Sequence, residues 1–175
     1  MLTEFERNGI ATVTAIAETI VDSLGSGGTV YVCGNGGSAA DAQHVVGELV
    51  GRFQTERKAL PAVALVTDGA VLTSIANDYG YERTFSRQVE GLVREGDIFW
   101  AFSTSGTSPN VVEAAKLAKV KKARVVAFTG RTDSTLEGLA DICFCAADNA
   151  TARCQEIHQL AYHLICDLVE RSFTT

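Results

Sequence analysis

Several stretches of the 175-residue chain carry residue types that could do chemistry. Gly34-Asn35-Gly36-Gly37-Ser38 follows the β-branched run Thr29–Cys33 and leads directly into a helix-like segment. Glycines there let backbone N–H groups come close to a ligand, and a helix N-terminus favours anions. The stretch matches neither the spaced GxGxxG of dinucleotide folds nor the GxxxxGK[ST] phosphate loop. Ser103-Thr104-Ser105-Gly106-Thr107-Ser108 precedes Pro109 and a second helix-like segment. One hydroxyl suffices to cap that helix. The surplus points to a phosphate held by hydroxyls and free N–H groups without any Lys or Arg.

Two helical spacings add titratable groups. His44 and Glu48 stand at i and i+4, so they share a face and can touch one ligand or metal, or simply each other. Near the C-terminus, Gln155, Gln159 and His163 drift along one helical face. Spacing does not choose between the two glutamines. His158 points elsewhere and reads as a surface or interface histidine. Asn77-Asp78, just before Gly80, suits a cap or turn. No GxSxG elbow or nucleophile triad is present.

The elements that must position these residues alternate in type. The spacing predicts a helix over 3–24, with Phe5, Val13, Ile16, Ile20, Val21 and Leu24 near one stripe, stopped at Gly25-Ser26-Gly27-Gly28. Strands are predicted over 29–33, 62–66, 97–102, 124–128 and 141–146, several of them continuously apolar. Helices are predicted over 39–52, 70–79, 82–94, 109–121 and 151–172. Strands alternating with helices imply an α/β fold with a parallel sheet covered on both faces. The long outer helices exceed what five strands need, and packing against another subunit is a use for them.

Composition bounds the rest. The length suits one domain at roughly 150 residues per domain. Fifteen Lys+Arg against 21 Asp+Glu give a net charge of −6, with no basic face for a nucleic-acid duplex. The densest basic run, Lys119–Arg124, reads as cations at a helix C-terminus. Five cysteines without a CxxC pair fit reduced thiols in the cytosol. The N-terminus has no signal-peptide pattern, and no apolar run approaches the roughly 20 residues of a membrane span.

Read in order, Cys33-Gly34-Asn35-Gly36-Gly37-Ser38, His44-x3-Glu48, Ala76-Asn77-Asp78, Ser103-Thr104-Ser105-Gly106-x-Ser108 and Gln155-Glu156-x-His158 with His163 resemble the sugar isomerase (SIS) family, and within it the phosphoheptose isomerases. The resemblance spans nearly the whole chain. It implies a three-layer α/β/α sandwich on a five-stranded parallel sheet, one SIS domain over 1–175. It also implies a cytoplasmic homotetramer in which the N-terminal helix (1–28) packs on a neighbour and active sites lie at subunit contacts. The implied reaction is isomerisation of sedoheptulose 7-phosphate to D-glycero-D-manno-heptose 7-phosphate, feeding nucleotide-activated heptose synthesis, with no nucleotide or redox cofactor.

By the same resemblance, Ser103, Thr104, Ser105 and Ser108 take the phosphate. Asn35, Gly36, Gly37, Asn77 and Asp78 line the sugar, Glu48 and His163 are the catalytic pair, and His44, Glu48, Gln155 and His163 hold one zinc per subunit. Gln155 is thereby chosen over Gln159, by resemblance. Ala152 stands where some relatives carry an acidic residue. The rival readings are a non-catalytic SIS scaffold that binds the bacterial replication initiator, and an isomerase or binder of another phosphosugar. His163 favours the isomerase over the scaffold.

Overall fold

Strands that are apolar at every position need cover on both faces, and the chain supplies it by returning through a helix after each strand. The computed structural model describes residues 9–174. In order these form α1 (Ile10–Gly25), β1 (Val30–Cys33), α2 (Gly37–Val50), β2 (Ala62–Ala64), α3 (Gly69–Tyr79), a 3-10 turn (Tyr81–Arg83), α4 (Ser86–Leu92), β3 (Ile98–Ser103), α5 (Pro109–Val120), β4 (Arg124–Thr129), α6 (Thr135–Leu139), β5 (Ile142–Cys145) and α7 (Thr151–Phe173). The part of the predicted first helix before residue 9, with Phe5, lies outside the described residues.

The five strands form one sheet in the order β2-β1-β3-β4-β5. All four pairings are parallel, with Val30 opposite Ile98 and Ile98 opposite Arg124. Side chains alternate across the sheet. On β3, Ile98, Trp100 and Phe102 therefore join Ile16, Leu49 and Tyr162 under α1, α2 and α7. Phe99 and Ala101 join Phe85, Val89, Val111 and Leu136 under α4, α5 and α6. The result is the expected three-layer sandwich.

Differences from the sequence reading have local causes. β2 closes after Ala64, and Thr67 returns its hydroxyl and amide to the Ala64 carbonyl. The segment 82–94 divides into a 3-10 turn and α4, following Gly80 at φ +92°. The short helix α6 was not predicted, although Ser134 and Glu137 form a capping box there, the Ser-x-x-Glu signature of a helix start. The basic run ends α5 as expected: Lys119 pairs with Asp141, and Lys122 with Glu95. His158 corrects the sequence reading. It is fully buried, its Nε2 sits 3.0 Å from the Thr129 carbonyl, and its ring packs on Phe102 and Phe128. Burial, partly opposed by the Thr129 hydrogen bond, lowers its pKa to about 4, so it is a neutral core residue.

One buried ion pair fastens the two helices that carry His44, His158 and His163, the three histidines of the chain. Glu170 on α7 accepts the backbone N–H groups of Phe53, Gln54 and Thr55, each at 2.7 Å. Its oxygen lies 3.4 Å from Arg57 Nε, both side chains being almost wholly buried. Arg57 in turn donates to the carbonyls of Glu48 (2.7 Å) and Leu49 (2.9 Å), which end α2 without intrahelical acceptor duty. Burial pushes the Glu170 carboxyl up, but the three N–H donors and Arg57 outweigh it and hold the group below its ordinary value.

Glu170→Ala is expected to cost about 3–5 kcal/mol, the scale for stripping one partner from a buried pair, read as a lower urea midpoint. The contribution is fully present above the unfolded glutamate pKa of about 4.3 and is lost as pH falls through the lower folded value. The stability gap between wild type and variant should therefore close on acidification. A gap that persists unchanged into acid would show that the carboxylate charge is not what holds the loop.

Candidate active site

In an open parallel sheet, ligands bind beyond the carboxyl ends of the strands where the chain order reverses. Here the order reverses between β1 and β3, and the glycine loop and the hydroxyl loop leave those two strands side by side. Together with Thr151 and Gln155 of α7 they line a cavity of about 300 Å³, which takes in Asn35–Ser38, Ser103, Thr104 and Ser108. Gly37 leaves room for a side chain from α7. A Cβ there would stand 2.5 Å from Gln155 Nε2, so the glycine lets α7 deliver the Gln155 carboxamide against the loop. Gln159 is exposed.

The hydroxyl loop is shaped by Gly106, at φ +65°, where a Cβ would collide with the Ser134 side chain. The loop's hydroxyls converge. Ser103 Oγ lies 3.0 Å from Ser108 Oγ and 3.3 Å from Ser105 Oγ, and Ser105 Oγ accepts the Thr107 N–H. Such a cluster, at the start of α5, can turn its donors toward a phosphate. Ser105 also faces a small adjoining pocket shared with Thr104, Arg131 and Thr151. Asn35 is held by a reciprocal pair of 2.9 Å amide bonds with buried Asn110, and its oxygen also accepts the Tyr81 hydroxyl at 2.9 Å. Asn110, Tyr81 and Thr151 escaped the sequence reading. Asn110 was signalled only by its place in the first turn after Pro109, and the other two by nothing local. Asn77 and Asp78 are exposed on α3, bonded to each other at 2.8 Å, and do not line the cavity.

Further along α2 and α7, three side chains meet. His44 Nε2 is 3.0 Å from Glu48 Oε1 and 3.4 Å from His163 Nε2. The His44 side chain is 40% exposed and that of Glu48 20%. Tyr162 brings its hydroxyl to 2.8 Å from His44 Nδ1, and Phe53 from the Glu170-held loop tilts over the His163 ring at 5.6 Å. Burial and the neighbouring His44 lower the pKa of His163, with Glu48 opposing, and an imidazole in such a place can serve in proton transfer. Burial raises the Asp41 carboxyl to about 6 despite His44 and Tyr162.

This cluster adjoins the cavity rather than lining it. His44 follows Gly37 by about 10 Å of helix and His163 follows Gln155 by about 12 Å. One ligand atom from each of His44, Glu48 and His163 lies within 4.8 Å of the others. Two imidazole Nε2 atoms facing each other at 3.4 Å cannot both carry a proton on that side, whereas a cation between them satisfies both lone pairs and the carboxylate. Two nitrogens and one oxygen suit Zn²⁺ with a fourth position open. Gln155 lies against Gly37, about two helical turns before His163 on α7.

The SIS domain model matches residues 1–130. A phosphoheptose isomerase from Roseiflexus sp. is 49% identical over 160 residues, 91% of this chain and 81% of the relative. One from Burkholderia pseudomallei is 48% identical over 163 residues, 93% of this chain and 83% of the relative. The solved structure of phosphoheptose isomerase GmhA from Neisseria gonorrhoeae superposes with a TM-score of 0.91 at 40% identity, covering 97% of this chain and 90% of that one. With the SIS model matching most of its length and relatives nearly half identical over more than nine-tenths of it, the chain belongs to the SIS domain family and, within it, to the phosphoheptose isomerases.

Proposed function

We propose that the chain is an aldose–ketose isomerase converting sedoheptulose 7-phosphate to D-glycero-D-manno-heptose 7-phosphate through a cis-enediol, in a pathway to nucleotide-activated heptose. The observation that carries this reading is the placement of a hydroxyl- and amide-lined cavity at the switch point beside a His/Glu/His cluster on the two helices that leave it. Ser103, Thr104, Ser105 and Ser108 hold the phosphate. Asn35, Gly36, Gly37 and Gln155 hold the sugar hydroxyls. Glu48 takes a proton from C1 while His163 gives one to O2, leaving an enediol. Glu48 then returns its proton to C2 as His163 takes the O1 proton, so the aldehyde forms at C1 with no net change in protons or electrons.

His44, Glu48 and His163, joined by Gln155, would hold one zinc per subunit. When bound, zinc supplies Lewis-acid stabilisation of the developing oxyanion. The gap between cavity and cluster within one chain supports a homotetramer in which a neighbouring subunit completes each site. Exposed Leu160 and Leu164 beside His163 on α7 suit burial at such a contact, as do exposed Asn77 and Asp78 if they reach sugar across it. Five free cysteines fit a cytoplasmic enzyme built as one SIS domain. Among the described residues no helix is long and apolar enough to cross a membrane.

Incubating purified protein with sedoheptulose 7-phosphate and following aldose formation tests the reading. An inactive wild type that instead captured the bacterial replication initiator would favour the scaffold. Glu48→Gln should keep the fold but lose at least about 100-fold in kcat, and near-wild-type turnover would remove Glu48 as the base. Ser103→Ala with Ser105→Ala should raise KM far more than it lowers kcat, because the phosphate is remote from the reacting carbons. An unchanged KM would leave the loop as a helix cap only.

A further inference from the structure

We propose that Tyr162, backed by Asp41, is the positioning residue that sets the tautomer of His44 and so turns the His44 Nε2 lone pair toward the centre shared with Glu48 and His163. The inference rests on the metal reading of that cluster. Tyr162 is 1% exposed, and its ring stands edge-on to both imidazoles, 5.4 Å from His44 and 4.9 Å from His163. A phenylalanine would fill that space equally well. What tyrosine adds is a hydroxyl 2.8 Å from His44 Nδ1, and a buried phenol is retained where its O–H has work to do.

That hydroxyl carries one hydrogen, so two arrangements are open. In the first, Tyr162 donates to Nδ1. His44 then carries its proton on Nε2 and donates it to Glu48 Oε1 at 3.0 Å, which closes Nε2 to a cation. In the second, His44 carries its proton on Nδ1 and donates it to the Tyr162 oxygen, which must pass its own hydrogen to a further acceptor. Asp41 supplies that acceptor. It precedes His44 by three residues on α2 and so lies on the same helix face. Its buried Oδ2 has no hydrogen bond among the described residues, which leaves that oxygen open to accept the Tyr162 hydrogen. Only this second arrangement leaves Nε2 bare.

The exchange between arrangements balances simply. One proton leaves Nε2 to solvent, one is taken from solvent at Nδ1, and the Tyr162 hydroxyl rotates from His44 to Asp41. His44 is neutral in both. Outer-shell partners of metal-bound histidines act in this way, by fixing tautomer and ring orientation.

The test measures zinc affinity of the full-length protein by competition with a chromophoric chelator. Tyr162→Phe should bind zinc about 10–100-fold more weakly, the scale for losing an outer-shell partner, with unchanged circular dichroism. In zinc-loaded wild type, imidazole nitrogen NMR should show a hydrogen-bonded, slowly exchanging Nδ1–H on His44, and in Tyr162→Phe that signal should exchange rapidly. Asp41→Ala, which leaves Tyr162 in place, should weaken zinc comparably, and it carries the test if Tyr162→Phe does not fold. His44→Ala separates the two readings. If wild type binds no zinc, or His44→Ala binds it undiminished, the metal reading falls and this proposal with it. If His44→Ala weakens zinc but Tyr162→Phe and Asp41→Ala bind like wild type, the metal reading stands and the positioning role is overturned.

Discussion

Every strand in this sheet runs the same way, and the consequences of that constraint reach the site. Parallel strands cannot be joined by tight hairpins, so each connection must cross a face of the sheet. The sheet is therefore covered on both sides, and its central strands are apolar through most of their length. The strand ends become the places where polar chemistry can collect. Because the order reverses between β1 and β3, the connections on either side of that point go to opposite faces, and a crevice opens above the two strands. The glycine loop and the hydroxyl loop are the first residues past those strand ends. Their chemistry would be ordinary turn chemistry anywhere else in the fold.

The second level of organisation is the pairing of α2 with α7. Neither helix carries a complete functional group set. α2 brings His44 and Glu48, and α7 brings Gln155 and His163. Glu170 and Arg57 hold the loop after α2 onto the last turns of α7, and Arg57 satisfies the carbonyls at the α2 terminus. A buried charge pair is poor evidence of net stability, since burial costs each ion its hydration. Its value here is geometric. It sets the register of two helices whose side chains must meet within about a hydrogen-bond length, and it places Phe53 over His163. A purely apolar contact would tolerate sliding by a fraction of a turn, and three N–H groups aimed at one carboxylate do not.

Much of this was legible in the sequence, and particular residues show why. Thr29–Cys33 followed by Gly34–Ser38 reads as strand, turn and helix start from local rules alone. The surplus hydroxyls of Ser103–Ser108 stand out against the single one a cap requires. His44 and Glu48 are fixed on one face by the helical period. α6 was missed because five residues are too few for periodicity to register, although its capping box was present in the letters. His158 was misplaced because a histidine on an otherwise apolar stripe looks the same whether it faces solvent or a backbone carbonyl 29 residues away.

By itself the sequence determined the alternation of elements, the two loops at strand ends and the helical faces that carry His44, Glu48, Gln155 and His163. Those features depend on neighbours within a few residues, and backbone geometry fixes them. The meeting of His163 with His44, the approach of Tyr162 to Nδ1, the hold of Asn110 on Asn35 and the grip of Glu170 on the 53–55 amides were decided only by the tertiary structure. Each joins residues 75 to 119 positions apart. Nothing in local spacing encodes such a contact. It follows from which faces of the sheet the helices cover and from the register in which α2 and α7 pack.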